Sequence, residues 1–314
     1  MKRYIKYIAA LLVLAQLLVG CASGQSPEPS VTTEETTQPA SESTEPVLRE
    51  GIQTVLVMGL DKYERPEETL GYTNKLQADF LMLLVISPGE KRVDVLHLNR
   101  DTMTEIRRLG IGGGAAGTFV GQLALAHTYG SGGSDSCLNA VKAVSNLLGG
   151  VKIDHYMTLT MDAVGILNDL AGGVTLEVLD DMTELDPELR KGATVTLRGD
   201  QALTYVRTRY GLSDSSNLHR MERQQQYLRG FYERLAECQR SDPDFLAGAL
   251  AQVNDSMVSD CTVNQLDALG KLVGELELGE FLTLEGEAVV GDPYMEFYPD
   301  QEALRETVLR LFYQ

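Results

Sequence analysis

The sequence predicts an α/β fold in which a mixed sheet is sandwiched between helices. Two long apolar runs, IQTVLVMGL at 52–60 and ADFLMLLVIS at 78–87, read as buried strands. From residue 134 onward, segments of helical and of strand period alternate, the pattern of a sheet covered on both faces. Hydrophobic residues make up 43% of the chain, enough for a real core.

Taken in order, the chain opens on a targeting segment. Lys2, Arg3 and Lys6 precede an apolar stretch at 7–19 that is short for a membrane span. The stretch ends in Leu18-Val19-Gly20-Cys21, which resembles the bacterial lipobox. Residues 1–20 are therefore expected to be removed, leaving Cys21 as the lipid anchor. Residues 22–48 are rich in Ser, Thr, Pro and Glu and read as a disordered tether averaging about 30 Å end to end. The folded domain is expected over 49–314, held outside the cytoplasm at the membrane by the N-terminal lipid.

Within that domain, 52–60 is expected to be a central strand. The 78–87 strand is followed by Ser87-Pro88-Gly89-Glu90, which suits a type II turn, and by the alternating strand 92–98. If Ser87 faces Arg92, the hairpin register sets Asp79 across from Arg100. The glycine-rich string 110–117 contains GxGxxG but lacks the strand-then-helix setting of a dinucleotide site, so it reads as a loop. Helices are expected at 134–148, with Leu138, Val141, Val144 and Leu148 on one face, and at 161–171, 200–207, 217–237, 245–253, 263–276 and 300–312. Further strands are expected at 153–160, 174–179, 193–197 and 281–290. Beyond Cys21 the cysteines are Cys137, Cys238 and Cys261, neither a disulfide framework nor a zinc pattern, with pairing of Cys238 and Cys261 left open.

The net charge is -18, and no basic stripe exists to bind nucleic acid. Against this background residues 204–226 hold Arg207, Arg209, Arg220 and Arg223. Arg220, Arg223 and Gln224 share a face of a helix starting near Asn217, whereas Arg207 and Arg209, two apart, straddle a helix end and its loop or lie on an extended segment. Such a cluster is either a solvated face with local ion pairs or a clamp for phosphate, which guanidinium forks hold in a bidentate way.

Several pieces in order then resemble the LytR-CpsA-Psr family of bacterial cell-wall proteins: VLVMGLD (55–61), ADFLMLLVIS (78–87), NRDT (99–102), LAHTYGSGG (125–133), LNDLAGGVTLEV (167–178), LRGDQALTYVRTR (197–209) and HRMERQQ (219–225). The match is strongest over 55–235, with further helices and strand at 241–314. The resemblance implies a phosphotransferase that moves a glycopolymer from a polyprenyl-pyrophosphate carrier to a cell-wall acceptor such as peptidoglycan. It implies an apolar groove for the polyprenyl chain, Mg²⁺ on Asp61 and Asp79, and a pyrophosphate held by Arg100, Arg207 and Arg209. Arg220, Arg223 and Gln224 would support substrate binding. Two other readings fit the same residues: hydrolysis of the carrier, with water as acceptor, and a non-catalytic protein that only binds polyprenyl lipid.

Other residues have plainer roles. Asp101 is expected to orient Arg100, and His97 and His155, both in strands, to be structural. Tyr205 and Tyr227 are expected to pack. Two departures from the family pattern bear on the site: Gln77 stands where an arginine is usual, weakening the expected hold on the anion, and Asn99 stands where proline is usual. Lys75 is a candidate to compensate for the missing charge at Gln77.

Overall fold

The computed structural model describes residues 46–60, 76–110, 112, 114–209, 217–291 and 294–314. Strands β1 (Gln53–Leu60), β2 (Ala78–Ser87), β3 (Arg92–Leu98), β4 (Met103–Leu109) and β5 (Ala115–Gln122) are followed by helices α1 (Leu125–Thr128) and α2 (Gly133–Leu147). Next come β6 (His155–Leu159), α3 (Met161–Leu170), β7 (Thr175–Glu177), β8 (Thr194–Thr196), α4 (Asp200–Arg207) and α5 (Asn217–Ser241). The chain continues through α6 (Phe245–Gln252), β9 (Met257–Ser259), α7 (Val263–Gly274), β10 (Glu277–Thr283), β11 (Gly286–Val290) and β12 (Met295–Pro299) to α8 (Gln301–Phe312).

Six strands form the main sheet in the order β10-β3-β2-β1-β6-β9. It is mixed: β1 pairs antiparallel with β2 and parallel with β6, and β10 lies parallel to β3. Strand β1 thus has neighbours on both sides, as its continuous apolar run requires. Alternate side chains sort to two faces. Leu56, Met58, Leu81, Leu83, Leu96 and Leu98 pack against α2 and α8, through Ala140, Ala143, Val144, Leu311 and Phe312. Val55, Val57, Met82, Ile86, Val93 and Val95 face α5 and α7; Phe80 and Phe281 of the sheet and Leu228, Tyr232 and Leu269 of the helices pack against them and are only partly buried. A second core holds the small β7–β8 pair against α4 and α5, built on Val174, Leu176, Val178, Leu197, Tyr205 and Tyr227.

Several expectations need correction. The β2–β3 connection is not a type II turn. Pro88–Glu90 form a short 3-10 turn, and the left-handed residue is Lys91 (φ 53°), not Gly89. The hairpin register nevertheless stands, Ser87 facing Arg92 and Leu81 facing Leu98. The glycine-rich 110–117 stretch belongs to a β4–β5 hairpin, closed by the Gly110 amide donating to the Gly114 carbonyl at 2.8 Å. On α2, Leu138 is 54% exposed, and the buried face runs through Cys137, Ala140 and Val144. Leu138 lies about 90° around the helix from the Val141, Val144 and Leu148 direction at 100° per residue, so it falls off the seam. The expected 281–290 strand is two strands in different sheets, β10 and β11, and β12 completes a hairpin with β11. Cys137, Cys238 and Cys261 are free thiols.

Candidate anion site at the β2–β3 edge and the start of α5

The register places Asp79, the second residue of β2, beside Arg100, two residues past the end of β3. Arg100 Nη1 donates to Asp79 Oδ1, and its Nε donates to Asp101 Oδ1 at 3.2 Å. Asp101 is buried and also accepts from Gln122 Nε2 at 3.0 Å, so its carboxylate fixes the guanidinium from behind. That is the orienting role the sequence suggested.

The turn carrying Arg100 is held by Asn99. The Asn99 carbonyl accepts from the Thr102 amide and hydroxyl at 3.0 and 2.6 Å. Its side-chain Oδ1 accepts from the Asp101 amide at 3.0 Å, the local bond that suits asparagine to turns, and from Asn217 Nδ2 at 2.6 Å. Proline at this position would make neither of the side-chain bonds. From the first turn of α5, Asn217 Oδ1 in turn accepts from Arg220 Nη2 at 2.5 Å. The same nitrogen donates to the Asp79 carbonyl at 3.2 Å. Asn99 and Asn217 therefore tie the β2–β3 edge to α5, a link that nothing in sequence spacing announced.

Arg220 is 6% exposed. Burial pushes its guanidinium down to about 10; Asp79 and Asp101 pull it up, while Arg100 and Arg209 push it further down. It stays cationic at neutral pH, at the centre of three arginines and two carboxylates. His97 sits beneath, against the Phe80 ring with centroids 5.0 Å apart. Burial, and then the Arg220 charge, push its imidazole down to about 3. It is a neutral packing residue with its Nδ1 unpartnered among the described residues.

Arg207 ends α4 and is exposed, and Arg209 follows two residues on and is half-buried. Arg223 and Gln224 turn toward that helix end. Arg223 Nε donates to the Tyr205 carbonyl at 3.1 Å and its Nη2 to the Thr208 carbonyl, while Gln224 Nε2 donates to the Val206 carbonyl at 3.1 Å. These are carbonyls at the open end of a helix, which need donors from elsewhere. Gln77 is half-buried just before β2. Asp61, Lys75 and Cys21 lie outside the described residues. Tyr205 and Tyr227 pack in the second core, as expected. His155 pairs with Asp260 at 3.1 Å at the start of β6.

A sequence profile of the LytR_cpsA_psr family matches residues 22–311. The chain belongs to the LytR-CpsA-Psr family. It is 28% identical, over 80% of its length and 76% of the relative's, to a polyisoprenyl-teichoic acid–peptidoglycan teichoic acid transferase, TagU, of Halalkalibacterium halodurans. It is 25% identical to TagV of Bacillus subtilis, a transferase of the same description, over 58% of this chain and 44% of that one. Among solved structures, TagT bound to LI-WTA superposes with a TM-score of 0.62 at 22% identity, covering 83% of this chain and 89% of that one. The crystal structure of B. subtilis TagV gives 0.62 at 21%, covering 84% and 96%. The family and the fold expected from the ordered motifs are thus both found.

Proposed function

We propose that this chain transfers a glycopolymer from a polyprenyl-pyrophosphate carrier to a hydroxyl of peptidoglycan. The observation that carries the proposal is the convergence of Arg100, Arg209 and Arg220 with Asp79 where β2 begins and β3 ends, in a chain of net charge -18. Relatives described as teichoic acid transferases to peptidoglycan support it. Arginines packed this closely repel one another, and a pyrophosphate among them would convert that repulsion into binding.

Arg100 and Arg220 enter the site already oriented, by Asp101 and by Asn217, so little reorganisation accompanies anion binding. Phosphoryl transfer asks the protein mainly for positioning and for stabilising the equatorial oxygens. The acceptor hydroxyl oxygen bonds to the phosphorus that carries the sugar, and its proton passes to the departing polyprenyl phosphate. The bond from that phosphorus to the bridging oxygen breaks, and polyprenyl phosphate leaves with the electron pair. Arg100, Arg207 and Arg209 hold the charge that develops, with Arg220 and Gln77 around them, while Arg223 and Gln224, expected from the sequence to meet substrate, brace the end of α4 instead. The polyprenyl chain runs along the sheet face of Val55, Val57, Phe80 and Met82, whose cover from α5 and α7 is only partly buried.

Asp79 suits Mg²⁺: it is a hard oxygen donor, its side chain is 22% exposed, and it lies beside the arginines that would meet the phosphates. Asp61 and Asp79 would hold the ion, which when bound neutralises phosphate charge. Cys21 would tether the chain to the membrane that holds the carrier.

The test is to incubate the full chain with a short polyprenyl-pyrophosphate-linked sugar and Mg²⁺, with and without a peptidoglycan fragment. Polyprenyl phosphate release that depends on the fragment is expected. Release without the fragment would point to hydrolysis, and binding without turnover to a carrier-binding protein. Gln77 gives that last outcome its particular weight, because the site lacks the charge an arginine there would bring.

A further inference from the structure

We propose that Asp180 is a positioning residue of the anion site, acting through Arg223 to fix the segment that presents Arg209. The proposal rests on Arg209 being an anion ligand. Asp180 lies beyond β7, between Val178 and Met182 of the second core, and is 2% exposed. Its Oδ2 accepts from Arg223 Nη1 and lies 3.3 Å from His219 Nδ1. Arg223 is 1% exposed. Opposite charges buried this deeply cost stability unless their remaining hydrogen bonds are made, so what else the pair holds matters.

The other two donor atoms of Arg223 both go to the end of α4, at the Tyr205 and Thr208 carbonyls. Gln224 takes the Val206 carbonyl between them. The Leu179 amide donates to the Tyr205 hydroxyl at 3.3 Å, so the residue preceding Asp180 grips the same helix. The chain cannot turn about Thr208 without breaking one of these bonds, and the next residue is Arg209. Asp180 supplies the counter-charge that keeps Arg223 in place beside the other arginines. An asparagine at 180 would keep the shape but leave a dry guanidinium unbalanced, and Arg223 would draw in water or swing out, releasing the Thr208 carbonyl.

The test uses the full chain with Asp180→Asn, read by amide hydrogen exchange and by turnover of a polyprenyl-pyrophosphate-linked sugar. Faster exchange is expected at Thr208 and Arg209, with β1 and β2 unchanged. Turnover is expected to fall about 100-fold, the scale of a small misplacement of a catalytic group, with KM for the carrier little altered. Asp180→Glu should restore part of kcat. In an Arg209→Ala background, Asp180→Asn should cost nothing further. Parent-like exchange at 208–209, or losses that multiply in the double variant, would overturn the proposal. If Asp180→Asn does not fold, Asp180→Glu decides by the same two measurements. If Arg209→Ala turns over like the parent, the transfer reading falls, while the exchange data still decide whether Asp180 holds the segment.

Discussion

At the scale of single residues, Gln77 and His97 each carry a prediction. Gln77 is half-buried two residues before Asp79 and carries no charge. An arginine there would add a charge-assisted bond worth about 1.5–3 kcal/mol. Gln77→Arg is therefore expected to tighten binding of a polyprenyl pyrophosphate, more at low salt than at high. Unchanged affinity at two ionic strengths would mean that residue 77 does not face the anion. His97 predicts an acid-side stability loss. Its folded pKa of about 3 lies below the unfolded 6.5, so between these values the unfolded chain binds the extra proton and stability falls as pH falls. From pH 7 to 4.5 this single group should cost about 2–3 kcal/mol. A folded His97→Gln variant should lose less stability than the parent over that interval, measured by urea midpoints. Equal losses would place the acid sensitivity elsewhere.

At the scale of elements, the strands that build the main core were readable because their apolar residues run continuously or alternate cleanly. The hairpin β2–β3 even gave the Asp79–Arg100 pairing by counting. Strands β4 and β5 were not readable: β5 is glycine-rich and mostly exposed, and β4 mixes Ile106 with Arg107 and Arg108. They pair with each other and reach the main core only through Ile106 and Phe119, too few apolar positions to show a strand pattern. Strand β12 escaped for a similar reason, being short and only partly buried. Helix α2 shows the limit of periodicity, since four apolar residues at helical spacing still left Leu138 in water. Leu56→Ala should accordingly cost about 2–5 kcal/mol, as for a buried leucine in a closed core. Leu138→Ala should stay within about 0.5 kcal/mol. Urea denaturation of the two variants checks this, and equal destabilisation would contradict the assigned faces.

At the scale of the whole molecule, the ordered motifs conveyed the family, and counting along β2 and β3 placed Asp79 beside Arg100. What they could not convey was which arginine joins the Asp79–Arg100 pair and which is spent within the protein. Arg220 and Arg223 share a helix face in sequence, yet Arg220 joins Asp79 while Arg223 spends its donors on α4 and Asp180, and only tertiary packing decides that. No helix among the described residues is long and apolar enough to cross a membrane. The proposed access to a membrane-held carrier rests on Cys21. Cys21→Ala should abolish fatty-acid labelling and move the protein out of the membrane fraction, and persistent labelling would remove the anchor. The central claim is that the arginine cluster drives transfer. Its most direct test is the rate at which a folded Arg209→Ala variant moves sugar phosphate from a short polyprenyl pyrophosphate to a peptidoglycan fragment. The account predicts a loss of about 10²–10³-fold, the effect of removing one donor at developing charge, and a rate equal to the parent's would contradict it.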